Sequence, residues 1–277
     1  MKVCVLMNCY NGSKYLQQAL DSVLQQTHEH WELVFWDNQS TDESRDIVLS
    51  YNDKRIRYFL APRHTNLAEA RKLASEQFTG DWIGFLDCDD VWFPNKLERQ
   101  LESVENDIST SVGLIYARAR LLVEPGFTPT QKHVFQTSDL LPEGRIFSRL
   151  IKGNFIALPS ILVRKSAFDD IGGFVGRYPI MEDYSLSLRV ARRYRVRVVD
   201  QELCGYRLHG ANDSLTGPEI DSFEDLEIVR GFYPDPRALA ATLRIVMRHL
   251  RNCYRQQRAP AISQIFRTLT LSSRSMC

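Results

Sequence analysis

Apolar residues in the first half of the chain come in short runs, separated by stretches of helical spacing. Val3-Cys4-Val5-Leu6-Met7 is continuously apolar, which predicts a strand buried on both faces. Leu16, Leu20, Val23 and Leu24 recur at helical intervals and predict a helix from about Ser13 to Gln26. Leu33 to Trp36 predicts a second buried strand. Ser40-Thr41-Asp42-Glu43 has the spacing of a capping box and predicts a helix that runs to about Ser50. Ile56 to Leu60 predicts a third strand, and Leu67, Ala70, Leu73, Ala74 and Phe78 another helix. Trp82 to Leu86 predicts a fourth strand that runs straight into Asp87-Cys88-Asp89-Asp90. Pro94 opens a further helix carrying Leu97, Leu101 and Val104.

The second half is less regular. Val112 to Tyr116 predicts a strand, Glu124 to His133 a loop, and Ser138 to Lys152 a helix. Ile161 to Val163 predicts a strand, followed by a short helix that ends at Gly172-Gly173. Glu182 to Arg193 predicts a helix and Val196 to Val199 a strand. Strands alternating with helices imply an α/β fold, with a Rossmann-like, mostly parallel sheet flanked by helices. Ligands bind outside the carboxyl ends of the strands in such sheets. The residues just past the strands are Asn8-Cys9-Tyr10-Asn11, Asp37-Asn38 and the acid cluster, all polar and all expected on one rim.

At 277 residues, with 44% hydrophobic and 25% charged residues, the chain has the composition of a globular protein. A net charge of +1 gives no overall field for nucleic acid. Six cysteines without CxxC spacing fit a reduced, cytoplasmic setting. The first apolar run is short and ends at Asn8, unlike a signal peptide, and no apolar stretch reaches membrane-spanning length. Charge is uneven, however: residues 236–277 hold eight arginines and no Asp, Glu or Lys. There Leu239, Leu243, Val246 and Leu250 fall on one helical face, interleaved with Arg244, Arg248, Arg251 and Arg255. Such a helix is able to lie on an anionic membrane, or to pack on the catalytic domain or a partner with its arginines solvated.

Three carboxylates in four residues at a strand end repel one another, and a divalent cation relieves that repulsion. Oxygen ligands on Mg²⁺ or Mn²⁺ also suit nucleotide phosphates as co-ligands. The structural alternative is a helix start, with Asp89 or Asp90 capping the helix after Pro94.

These segments carry a resemblance. Tyr10-Asn11-Gly12, Leu20-Asp21-Ser22-Val23-Leu24-Gln25-Gln26-Thr27 and Asp37-Asn38-Gln39-Ser40-Thr41-Asp42 resemble the opening of family 2 inverting glycosyltransferases of the GT-A fold. Leu86-Asp87-Cys88-Asp89-Asp90-Val91-Trp92 with Pro94-Asn95-Lys96-Leu97 resembles that family's DXD segment. Gly172-Gly173-Phe174 followed by Glu182-Asp183-Tyr184 resembles its acceptor side. The resemblance covers about residues 3 to 215, and its specificity lies in the order and spacing of several motifs. It implies a GT-A-like domain over 1–215, with 1–116 binding a nucleotide-sugar donor and 117–215 a glycan or lipid-linked acceptor. Residues 216–277 then form a basic helical extension.

The resemblance also implies roles. Asp89 is the metal ligand, and Asp87 binds ribose or supports the metal site. Asp183 is the general base, with Glu182 beside it; an acidic helix N-terminus is the structural alternative for both. Tyr10 and Asn11 lie near the base, with Asp37 the carboxylate of that region. Asn38 stands where the family often has an Asp that bonds uracil; its carbonyl is still able to accept that hydrogen bond. Arg71 lies near the nucleotide, unless it is merely an exposed helical arginine. His209, in Tyr206-Arg207-Leu208-His209, completes the metal or diphosphate site, and imidazole suits Mn²⁺ better than Mg²⁺. Two other functions compete: a non-catalytic sugar-nucleotide or partner-binding module on the same fold, and a nucleotidyltransferase. The latter calls for a Gly-rich basic loop after the first strand, where this chain has only Gly12 and Lys14.

Overall fold

The computed structural model describes residues 1–107, 111–128, 141–212 and 223–255. Eight strands form one sheet: β1 (Val3–Cys9), β2 (Trp31–Asp37), β3 (Ile56–Leu60), β4 (Trp82–Phe85), β5 (Val91–Trp92), β6 (Val112–Val123), β7 (Leu162–Arg164) and β8 (Arg195–Leu208). Their order across the sheet is β3-β2-β1-β4-β7-β6-β8-β5. The four strands on the β3 side are parallel to one another, as the alternation of elements requires. The other side is mixed: β7 runs antiparallel to β4 and β6, and β5 antiparallel to β8.

Side-chain alternation along β1 and β2 builds two cores. Cys4, Leu6, Val34 and Trp36 face one way; Val5, Met7, Leu33 and Phe35 face the other. The second face is covered by α1 (Ser13–Leu24), α2 (Ser44–Ser50) and α4 (Lys96–Glu102), through Leu16, Leu20, Val48, Leu97 and Leu101. The first is covered by α3 (Leu67–Ala74), α5 (Phe147–Leu150), α6 (Lys165–Asp170), α7 (Glu182–Arg193), α8 (Glu224–Arg230) and α9 (Pro236–Arg255). Phe223, Leu226, Ala238, Ala241 and Ile245 of the C-terminal segment share this core with Leu6 and Phe85 of the sheet.

Four local expectations are corrected. The second helix starts at Ser44, not at a capping box on Ser40. Ser40 is spent elsewhere, its hydroxyl accepting from the Asn11 N–H at 3.1 Å, while Asp42 accepts from Ser13 and Ser44 N–H at 2.9 and 3.0 Å. The helix expected over Ser138–Lys152 shrinks to Phe147–Leu150; residues 138–140 lie outside the described residues. Upstream of it, Gly144 sits at φ +85 and exchanges backbone hydrogen bonds with Val196, which holds the chain against β8. The strands expected over Val112–Tyr116 and Val196–Val199 are longer, at 12 and 14 residues, and pair along their whole length with register shifts. On α9 the buried residues are Ala238, Ala241, Thr242 and Ile245, whereas Leu239 and Leu243 of the expected apolar face are exposed.

Candidate functional site

The acid cluster lies between β4 and the two-residue β5, and β8 pins it from the other side. Val91 and Trp92 pair with Gly205 and Cys204. Just beyond, the Arg207 N–H donates to Asp90 Oδ1 at 2.8 Å and the Arg207 guanidinium donates to the Asp89 carbonyl at 2.7 Å. Asp90 is therefore not a helix cap: it is buried against β8, and its second oxygen has no hydrogen-bond partner among the described residues. Burial, then the charges of Asp89 and Asp87, push its carboxyl well above the ordinary range.

Asp89 meets His209, with Oδ2 and Nε2 3.0 Å apart. The Ala211 N–H donates to His209 Nδ1 at 3.2 Å, which leaves the ring proton on Nε2 facing the carboxylate. Burial and the neighbouring Asp87 raise the Asp89 carboxyl; His209 only partly opposes them. Nε2 is thus a donor to Asp89 in this structure; with that proton displaced by an ion, the imidazole nitrogen and the carboxylate oxygen would form an N/O donor pair suited to Mn²⁺. Asp87 lies on the same loop and is oriented by Arg71, which donates to both its oxygens at 2.8 and 3.1 Å. Among the described residues no group of three or more His, Cys, Asp or Glu is placed to hold a metal. A two-ligand site of this kind still fits a cation that shares its coordination with phosphate oxygens and water.

Arg71 joins the two halves of the site. It is buried on α3, not an exposed helical arginine. Burial opposes its charge, but Asp87, then Asp183, more than offset that and hold the guanidinium above its ordinary range. Asp183, in the first turn of α7, is half-buried and accepts from the Tyr184 N–H at 2.7 Å. Burial raises its carboxyl to about 6, against the lowering effect of Arg71. Its neighbour Glu182 is engaged by the protein itself. Its carboxylate is fully buried and accepts backbone N–H groups from Val175, Gly176 and Tyr178, so it ties down the loop before α7.

On the nucleotide side, the Tyr10 ring is 51% exposed and rests on the His64 ring at 4.2 Å. Asn11, at φ +52, accepts from the Thr41 N–H at 2.8 Å and so joins the loops after β1 and β2. Asp37 is completely buried, with its oxygens taken by the Ser40 N–H and the Tyr58 hydroxyl, both at 2.7 Å. Asn38 is closed as well. Its Nδ2 donates to the Thr65 carbonyl at 2.7 Å and its Oδ1 accepts from the Thr65 N–H and hydroxyl at 3.2 Å. Asp37 and Asn38 thus shape the rim from below, and the expected contact from the Asn38 carbonyl to a base is not available in this geometry. Asn8, one residue before the end of β1, lies near the same rim, buried with both amide atoms unpartnered among the described residues.

The model of the family described as Glycosyl transferase family 2 matches residues 4–172, from β1 through α6. The chain belongs to that family. TuaG of Bacillus subtilis, a putative teichuronic acid biosynthesis glycosyltransferase, is 32% identical over 163 residues, covering 58% of this chain and 61% of TuaG. WfgD of Escherichia coli, a UDP-Glc:α-D-GlcNAc-diphosphoundecaprenol β-1,3-glucosyltransferase, is 24% identical, with 85% of this chain and 88% of WfgD covered. The chain spans only part of several curated relatives, down to 30% of one of them. S. aureus TarS 1-349 in complex with UDP-GlcNAc has the same fold, with a TM-score of 0.74 at 18% identity over 97% of this chain and 80% of that one.

In this family 2 domain the site includes residues the sequence patterns passed over. His64 supports Tyr10 and bonds the Asn38 carbonyl through Nδ1 at 2.9 Å. Asn212 accepts from the His209 N–H at 2.7 Å. Tyr15 carries Arg207 over its ring at 4.5 Å and donates to Glu124 at 2.7 Å. Their only signal is proximity to the recognised motifs, since the partners of His64 and Tyr15 lie far away in sequence. The Asn38–Thr65 pairing has a direct test. Asn38→Ala leaves the buried Thr65 N–H and C=O without partners, and a loss of about 1–3 kcal/mol is expected. It is read as a lower urea midpoint at unchanged slope.

Proposed function

We propose that this protein is a metal-dependent inverting glycosyltransferase that moves a sugar from a UDP-sugar to a hydroxyl of a glycan or lipid-linked acceptor. The observation that carries this reading is the position of Arg71. One buried guanidinium links Asp87, in the strand-end acid cluster, to Asp183, a half-buried carboxyl raised to about 6. A carboxylate with that proton affinity is matched to general-base work near neutral pH. Asp183 takes the proton of the acceptor hydroxyl as its oxygen bonds the anomeric carbon and the bond to the diphosphate breaks. No covalent sugar–enzyme intermediate is involved.

Asp89 and His209 would hold Mn²⁺ or Mg²⁺, which when bound supplies Lewis-acid neutralisation of charge on the leaving diphosphate. Arg207 and Asp90 keep Asp89 in place from β8. The exposed Tyr10 ring, backed by His64, offers the base a flat surface; Asp37 and Asn38 fix the loop beneath it. A UDP donor is supported by the nucleotide bound to TarS and the donor in WfgD's name, and a lipid-linked acceptor by the latter alone. The cysteine usage supports a reduced, cytoplasmic setting for the enzyme.

The test is nucleoside diphosphate release from UDP-glucose, UDP-GlcNAc and GDP-mannose, with and without Mn²⁺. Metal-dependent release from a UDP-sugar is expected, and Asp89→Ala should lower it roughly 10²–10³-fold without loss of fold. Donor binding with no release from any of them would leave a binding module in place of an enzyme.

A further inference from the structure

Two faces of α9 do different things. The inward face packs Ala238, Ala241, Thr242 and Ile245 into the core, and Asp225 of α8 holds the helix there by accepting from Arg248 and from His249, the latter at 3.0 Å. On the outward face Leu239, Leu243 and Met247 are 54%, 60% and 50% exposed. They are spaced i, i+4, i+8 and so form one ridge along the helix. Exposed Arg244, Arg248 and Arg251 flank this ridge along one side of the helix. Residues 236–277 hold no Asp or Glu to balance them.

Apolar side chains at three successive turns of an exposed helix mark a contact surface. Its charge selects among partners. A second copy packed ridge to ridge about a two-fold axis would bring arginine against arginine with no carboxylate on either helix. A nucleic acid would satisfy the arginines and leave the leucines in water. A surface with anionic headgroups above hydrocarbon meets both needs, because guanidinium groups reach up to phosphates while the stem and neighbouring apolar side chains sink below them.

We propose that α9 docks this protein on an anionic lipid bilayer. Leu239, Leu243 and Met247 enter the boundary between headgroups and acyl chains. Arg244 and Arg251 bind lipid phosphates; Arg248 is shared with Asp225. The proposal deepens the functional reading, since a docked enzyme meets a lipid-linked acceptor in the plane of the membrane, but the docking itself does not depend on catalysis.

Co-sedimentation of the full chain with phosphatidylcholine vesicles, with and without phosphatidylglycerol, tests it. Binding is expected only to the anionic vesicles and should weaken as salt rises. Leu243→Gln with Met247→Gln should lower the binding constant roughly tenfold or more, and Arg244→Gln with Arg251→Gln by a similar factor. All four positions are exposed, so donor turnover in solution and thermal stability should be unchanged. A chain that stays in the supernatant, binds neutral vesicles equally well, or binds as wild type after either double substitution overturns the proposal. So does a concentration-dependent oligomer that the Leu243/Met247 pair breaks, since it would give the ridge to a second copy. Vesicle binding without nucleotide release would count against the enzyme reading alone, and release without vesicle binding against the docking alone.

Discussion

Asp183→Asn is expected to cut turnover by roughly 10²–10⁴-fold while leaving the fold at least as stable as before. The two effects have one cause. Burial lifts this carboxyl from 3.8 to about 6. A carboxyl whose folded value lies above its unfolded one favours folding only while protonated. Between those values the unfolded chain has released a proton that the folded chain retains, so stability falls as pH rises through the window. At neutral pH the charged Asp183 therefore costs the fold ~1–2 kcal/mol, allowing for its partial exposure. An amide of the same shape removes that cost together with the base. In the wild type, kcat/KM should rise with pH along a limb centred near 6. Turnover, thermal midpoint and the pH profile check the three statements. Near-normal turnover in Asp183→Asn would remove Asp183 from the base position, and a large drop in midpoint would make its role structural.

The first half of the fold is legible in the sequence because its strands are buried on both faces. Val3–Cys9 and Trp31–Asp37 are buried at every position, so they stand out through the apolar runs Val3 to Met7 and Leu33 to Trp36. β6 and β8 are not. β6 is exposed at Arg120 and Val123, β8 at Arg195 and 200–202, the two shift register with each other, and the apolar signal stops at Tyr116 and Val199 although the strands continue. Two-residue β5 is too short for any period, yet it positions the acid cluster.

The candidate site divides in the same way. Motif order brings Asp89, His209, Arg71, Asp87 and Asp183 into view, and these do converge. What each carboxylate does depends on neighbours that sequence spacing cannot supply. Glu182 and Asp183 are adjacent and chemically alike, but only Glu182 finds three N–H groups of the preceding loop within reach, which spends it on structure. Asp90 resembles a cap until β8, more than a hundred residues away in sequence, delivers the Arg207 N–H to it. Asn38 looks free to read a base until Thr65 occupies both ends of its amide.

Arg71→Met should show how far the two halves of the site are coupled. Removing the guanidinium leaves Asp87 without its ion pair and takes from Asp183 the Arg71 charge that opposes its burial. Breaking a buried pair from one side is costly, and a loss of about 2–4 kcal/mol is expected, moderated because the Asp87 side chain is 33% exposed. Lower stability alone would not separate coupling from packing, so the pH profile decides. Without the positive charge the Asp183 carboxyl should move above about 6, and the acid limb of kcat/KM should move with it. Arg71→Lys keeps the charge but not the forked geometry. That variant should lose part of the stability and hold the limb near its wild-type position. An acid limb unmoved in Arg71→Met would mean that Arg71 holds Asp87 only, and that the proton affinity of Asp183 is set by burial alone.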